Sequence, residues 1–148
     1  METEVRMGEI AVAKGDAILQ ASGVGSCLVV MLHDRRGRIG GLAHALLPKA
    51  DSKPLSGDAT YVDEAIDKLL DRMEALGAAR AGIEARLVGG ANMFKAFKTD
   101  MGTKNISSAR EKLDKAGIAI IGECVGGAQG RSLEFSVASG IVTVKTKF

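Results

Sequence analysis

Cys27-Leu-Val-Val-Met-Leu32, Asp34-Arg-Arg-Gly37 and Ile39-Gly-Gly-Leu-Ala-His-Ala-Leu-Leu47 follow one another along the chain, and they decide how it folds. The first run is unbroken and rich in valine and leucine, as a strand covered on both faces must be. A charged glycine turn reverses the chain, and the second apolar run lasts until Pro48, so the two are predicted to pair as a β-hairpin. Symmetric pairing about Arg36 sets Cys27 opposite Ala45, one residue from His44.

Outward from this hairpin, the N-terminal side reads as strands. Val5 to Ala13 has Ile10 and Val12 on one face under a two-residue period. Ala17 to Ala21 is a short strand after the Lys14-Gly15-Asp16 turn. On the C-terminal side, Ala50 to Ala59 holds Pro54 and Gly57 and reads as a loop. Thr60 and Asp63 approximate a capping box, and Val62, Ala65, Ile66, Leu69, Leu70, Met73 and Leu76 then fall on one helical face before Gly77. Ile83, Ala85 and Leu87 alternate with charged residues until Gly89-Gly90 breaks the strand. A second helix is predicted from Ile106 to Ala116, capped by Asn105 or Ser107 and ended by Gly117. Ile118 to Gly122 reads as a buried strand. Leu133, Phe135 and Val137 alternate, and Ile141 to Thr146 completes a last hairpin. Roughly eight strands and two helices make an α+β chain.

Composition narrows the function. The chain has 148 residues, one domain's length, so residues 1–148 are expected to form a single domain. Hydrophobic residues make up 46% and charged residues 26%, which fits a packed core rather than disorder. No apolar run approaches the ~20 residues of a membrane helix, and the acidic start Met1-Glu-Thr-Glu-Val5 lacks the features of a signal peptide. A soluble cytoplasmic protein without membrane insertion is expected. A net charge of +2 and an aromatic content of 3% argue against a nucleic-acid binder. Arg35, Arg36 and Arg38 read as solvated turn charges. Two cysteines and two histidines show no metal-ligand spacing, so neither a disulfide framework nor a metal is expected.

Chemistry concentrates at Gly23-Val-Gly-Ser-Cys27. Glycines there let several backbone N–H groups converge, and a thiol beside them would face donors suited to an oxyanion, notably at Gly25 and Ser26. Taken alone, Cys27 is also what a small core residue looks like. His44 in an apolar strand carries a desolvation cost, and its predicted neighbourhood with Cys27 favours a cysteine nucleophile with a histidine base able to generate thiolate near neutral pH. Gly89-Gly-Ala-Asn-Met-Phe94 and Gly126-Gly-Ala-Gln-Gly-Arg131 match no phosphate-binding loop. They read as strand-ending turns, or as cleft walls in which Gly90, Asn92 or Arg131 supports a substrate. No cofactor is expected, and a nucleotide-binding regulator has no lysine at motif spacing to support it.

Taken in order, Gly23-Val-Gly-Ser-Cys27, Ala43-His44 with Leu47-Pro48, Gly89-Gly-Ala-Asn-Met-Phe94, Gly102-Thr-Lys-Asn105 and Gly126-Gly127 with Arg131 resemble the CheD family of chemoreceptor glutamine deamidases. The resemblance spans Gly8 to Val144. It implies a layered β-sandwich with helices packed outside, similar to a cysteine hydrolase. It also implies conversion of receptor glutamines to glutamates, with Cys27 as nucleophile and His44 as base. Glutamyl methyl esters would offer the same acyl group. The implied partners are the cytoplasmic helices of chemoreceptors and a CheC-type phosphatase that competes with them. Two positions depart from the family. A threonine expected six residues before the cysteine is Ala21, so His44 must be oriented by a backbone carbonyl, a water or Ser22. An acidic residue expected before the second Gly-Gly is Cys124, read as structural. The missing hydroxyl gives weight to an alternative, a weakly catalytic or non-catalytic adaptor that binds receptor and phosphatase.

Overall fold

A computed structural model describes residues 2–49, 58–92 and 100–146. Residues 50–57 of the loop predicted over Ala50 to Ala59, and Met93 and Phe94 of the first Gly-Gly segment, lie outside the described residues. Nine strands and two α-helices are present: β1 (Glu2–Glu4), β2 (Ile10–Lys14), β3 (Ile18–Val24), β4 (Leu28–Asp34), β5 (Ile39–Ala45), α1 (Val62–Ala75), β6 (Ile83–Gly89), α2 (Met101–Lys115), β7 (Ala119–Val125), β8 (Arg131–Ser136) and β9 (Val142–Thr146). They form a four-stranded sheet in the order β1-β3-β8-β9 and a five-stranded sheet in the order β2-β5-β4-β6-β7. Both are mixed, since β1–β3 and β6–β7 run parallel. The α+β layered sandwich is as expected, with one strand more than the sequence suggested.

Two cores result. Between the sheets, Val29, Met31 and Leu42 of the larger sheet meet Leu19, Ala21, Leu133 and Phe135 of the smaller. On the other face of the larger sheet, Leu28, Val30, Leu32 and Ala43 pack against Val62, Ala65, Ile66, Leu69, Leu70 and Met73 of α1, and against Ile106, Ala109 and Leu113 of α2. All seven residues of β4 are buried because both its faces are covered, which explains its unbroken apolar run. Gly40 and Gly41 of β5 serve the same stacking. A Cβ at Gly40 would press on Phe135 of the opposite sheet, and one at Gly41 on Leu69 of α1. Each fully buried large apolar side chain in these layers contributes about 1.5–3 kcal/mol.

Several local readings need correction. Of the stretch Val5 to Ala13 only the second half is strand: β2 starts at Ile10 in the larger sheet, and residues 5–9 cross over to it from β1 (Glu2–Glu4) in the smaller sheet. Helix α1 starts at Val62, one residue later than a cap at Thr60 would place it. Tyr61 holds the N-cap position without a side-chain cap bond, and the Asp63 carboxylate accepts from the Glu64 N–H. β5 ends at Ala45, and Leu47 makes only an isolated bridge to Tyr61. Helix α2 starts at Met101, so Asn105 and Ser107 lie inside it rather than capping it. β7 is an edge strand with alternating exposure, Ile121 at 43%, and is not buried as predicted.

The hairpin register also differs by one. Asp34 pairs with Ile39, Val29 with His44 and Leu28 with Ala45, so a four-residue turn centres the hairpin between Arg36 and Gly37 rather than on Arg36. Arg38 closes that turn at φ 54°. A shift of one residue moves every side chain to the opposite face.

Candidate active site

That register decides where His44 points. Lying opposite Val29, it shares the inter-sheet face with Val29 and Met31, away from the helices. Strand alternation gives Cys27 the same face as Val29, and the ladder does continue through Cys27, whose carbonyl accepts from Gly90 N–H at 2.8 Å. Carried one residue beyond the end of β4, the same register sets Cys27 on the diagonal from His44, where backbones in a regular ladder lie about 7–8 Å apart. Pairing centred on Arg36 would have sent His44 toward the helices instead.

His44 is 1% exposed, and its Nδ1 lies 3.1 Å from the carbonyl oxygen of Val5. A carbonyl only accepts, so Nδ1 carries the proton and Nε2 is the bare, basic nitrogen. Nε2 is buried and meets no hydrogen-bond partner among the described residues. Burial pushes the imidazole below its ordinary value, against the pull of the Val5 carbonyl and of Glu4 and Glu9. Burial likewise pushes the Cys27 thiol up, with its own backbone N–H opposing. Neither shift draws on the other group. Both shifts favour the uncharged forms, a thiol and an imidazole.

The loop between β3 and β4 has an ordered polarity. The carbonyl of Gly25 accepts from Ala91 N–H at 2.9 Å, that of Ser26 from Asn105 Nδ2 at 2.9 Å, and that of Cys27 from Gly90 N–H. No N–H of Gly25, Ser26 or Cys27 goes to a backbone carbonyl among the described residues. In a trans peptide the N–H points opposite to the preceding C=O. Anchoring the Gly25 and Ser26 carbonyls therefore turns the Ser26 N–H away from Ala91 and the Cys27 N–H away from Asn105. Ser26 is exposed and Cys27 half-buried.

Gly90 and Asn92 build the wall behind this loop. Gly89 and Gly90 have φ of 114° and 65°, a region that favours glycine, and a Cβ at Gly89 would collide with the Cys27 carbonyl oxygen. Asn92 donates its backbone N–H to Gly127 and its side-chain amide to Thr103 Oγ1. Arg131, 8% exposed, reaches the Gly89 carbonyl at 3.3 Å. Cys124 packs at the rim of the inter-sheet core, consistent with a structural reading. Ser22 turns away to Glu4 at 2.7 Å, which leaves the Val5 carbonyl as the group that holds His44. Four buried side-chain polar atoms lack partners among the described residues: His44 Nε2, Asn92 Oδ1, Asn105 Oδ1 and Arg131 Nε. Of these residues Asn105 is bonded to the loop at Ser26, Arg131 to Gly89, Asn92 to Thr103 and His44 to Val5.

Sequence reasoning missed two contributors. The sequence reading makes Val5 the first residue of a strand, whereas it lies in the crossover that brings its carbonyl to His44. Asn105 was read as a helix cap. Its signal was Gly102 one turn earlier, where the absence of a side chain lets α2 rest on the carbonyls of Gly90 and Ala91. Among the described residues no group of three metal-ligating side chains gathers, and no helix is long and apolar enough to cross a membrane.

Comparison with known proteins adds a second line. Residues 46–146 match the family model for CheD chemotactic sensory transduction. The chain is 40% identical over 147 residues to the probable chemoreceptor glutamine deamidase CheD of Methanococcus maripaludis, covering 98% of this chain and 95% of that protein. It is 39% identical over 148 residues to the protein of the same description from Pyrococcus abyssi, covering 97% and 91%. The one from Archaeoglobus fulgidus is 40% identical over 147 residues, covering 97% and 92%.

Proposed function

The chain belongs to the CheD family, and from that premise we propose that it deamidates glutamine side chains of chemoreceptors by acyl transfer through Cys27. The observation that carries the mechanism is the loop at Cys27, whose three carbonyls are held by Ala91, Asn105 and Gly90 while none of its N–H groups goes to a backbone carbonyl among the described residues. Neutral His44 takes the Cys27 proton at Nε2 as the sulfur attacks the carboxamide carbon. The developing oxyanion is met by the Ser26 and Cys27 N–H groups, preorganised donors that need no rearrangement during reaction. The imidazolium then protonates the departing ammonia, leaving a thioester. Water, deprotonated by His44, cleaves it to glutamate and restores the thiol. The Val5 carbonyl holds the ring in the required tautomer throughout, supplying what the absent Ala21 hydroxyl would have supplied.

Glutamyl methyl esters fit the same chemistry, with methanol leaving in place of ammonia. Receptors present their glutamines on cytoplasmic helices, and a CheC-type phosphatase is the second partner we propose, on the family resemblance. Mass spectrometry of a receptor cytoplasmic fragment tests the central claim. Wild type should convert specific glutamines to glutamates with ammonia release, and Cys27→Ala should convert none. Conversion by Cys27→Ala at the wild-type rate would refute the nucleophile. Tight receptor binding without conversion by wild type would establish the adaptor reading.

A further inference from the structure

We propose that Asn105 is a positioning residue whose side-chain amide sets the aim of the Cys27 N–H and locks the nucleophile loop to the strand that carries His44. The inference rests on the Cys27–His44 reading above. Asn105 is fully buried in the second turn of α2. Its Nδ2 donates to the Ser26 carbonyl at 2.9 Å and to the Leu46 carbonyl at 3.0 Å. Both partners are acceptors, so the amide can sit only one way round: a flipped oxygen would face two carbonyls.

The two carbonyls mark the two halves of the site. Leu46 lies two residues past His44, and Ser26 directly precedes Cys27. The Ser26 carbonyl and the Cys27 N–H are opposite ends of one planar peptide, so fixing the first aims the second. Around Asn105 the same helix braces the neighbouring segments. Gly102 rests on Gly90 and Ala91, Thr103 receives the Asn92 amide, and Ser108 donates to the Pro48 carbonyl. Asn105 alone among these touches both the nucleophile loop and the chain leaving the base strand.

Aim matters where charge develops, in the transition state rather than in substrate binding. Asn105→Ala should therefore lower kcat by about 10- to 100-fold with KM within about twofold, somewhat less than the loss of an oxyanion donor outright. Asn105→Asp is isosteric, and keeps the test available should the alanine variant not fold. A carboxylate facing two carbonyls repels them, whereas a protonated acid returns one donor. Held between those carbonyls its pKa is raised, so kcat of Asn105→Asp relative to wild type should recover as pH falls from 8 to about 6.

Leu113→Ala, on the same helix and buried away from both loops, serves as the stability control, lowering Tm but leaving kcat unchanged at temperatures where it is folded. Wild-type kcat in folded Asn105→Ala, an equal loss in Leu113→Ala, or no pH-dependent recovery in Asn105→Asp would overturn the proposal. Cys27→Ala in the same assay separates the two levels. If it loses activity while Asn105→Ala keeps it, only the positioning role fails; if it keeps activity, the nucleophile assignment fails.

Discussion

The hairpin of β4 and β5 carries both histidines of the chain, His33 at the turn end and His44 at the open end. Both point between the sheets, both are buried, and each has one ring nitrogen on a backbone carbonyl: His33 Nε2 on Val137 at 2.8 Å, His44 Nδ1 on Val5 at 3.1 Å. They differ in what the rest of the ring meets. His33 lies edge-on to Phe135, with ring centroids 5.7 Å apart, and presses against Gly140, where a Cβ would come within 2.8 Å of it. His44 Nε2 meets no hydrogen-bond partner among the described residues, and the ring lies on the face of Val29. Burial and one carbonyl bond are common to both, so the proposed assignment of His44 as base rests on its Nε2 and on the register that turns it toward the Cys27 side.

The largest expected effect breaks that symmetry directly. His44→Ala should lower kcat by roughly 10²- to 10⁴-fold, the usual contribution of a positioned acid–base group. His33→Ala should leave kcat unchanged while costing about 1–3 kcal/mol of stability, since the Val137 carbonyl is left buried without a donor. Steady-state kinetics beside thermal melts read both. A kinetic collapse in His33→Ala with native stability would undo the distinction.

A smaller effect sharpens the electrostatic half of the comparison. In the proposed mechanism activity needs one proton on the thiol–imidazole pair, so it should fall when the imidazole gains a second and when the thiol loses its own. Burial lowers the first transition and raises the second, so kcat/KM should form a broad plateau, with the acid limb below 6.5 and the alkaline limb above 9.0. The same shift enters stability. His44 is depressed in the folded state, so its contribution is complete above 6.5 and is lost as pH falls through the folded value. Tm should thus drop more steeply on the acid side in wild type than in His44→Gln. Thiolate ultraviolet absorbance at neutral pH that disappears in Cys27→Ser would contradict a neutral pair.

Much of this hairpin was legible in the sequence, and the reason it was not fully so is local. Apolar run, turn and return identified the two strands, and the ordered glycine motifs named the loops around Cys27. The turn, however, could be centred on Arg36 or half a residue beyond it, and only the left-handed Arg38 selects the second. That half-residue decides the face of His44. Helix α1 was readable because six buried positions repeat at helical spacing. The start of α2 was not, because Gly102, Asn105 and Ser108 face the loops with small or polar groups and erase the apolar stripe. The role of Val5 was invisible for a different reason. It acts through its carbonyl, which every residue possesses.

The smallest expected effect concerns Ala21. Restoring a threonine there would raise the rate only if His44 lacked an orienting partner. The Val5 carbonyl already occupies Nδ1 at 3.1 Å, and a single N–H donates usefully to one acceptor. A second acceptor could at best share that bond, and a neutral hydrogen bond contributes roughly 0.5–1.5 kcal/mol net even when it is new. Ala21 is also 1% exposed, packed in the inter-sheet core with Leu19, Leu133 and Val29. Two extra heavy atoms in such a core cost about 1–3 kcal/mol through crowding. Ala21→Thr should therefore leave kcat within about twofold, since a shared bond adds little, and should lower Tm. Single-turnover deamidation of one receptor fragment by both proteins decides the matter. A clear acceleration would mean that the Val5 carbonyl holds the ring too loosely to fix its aim, and that the hydroxyl at position 21 is the stronger guide.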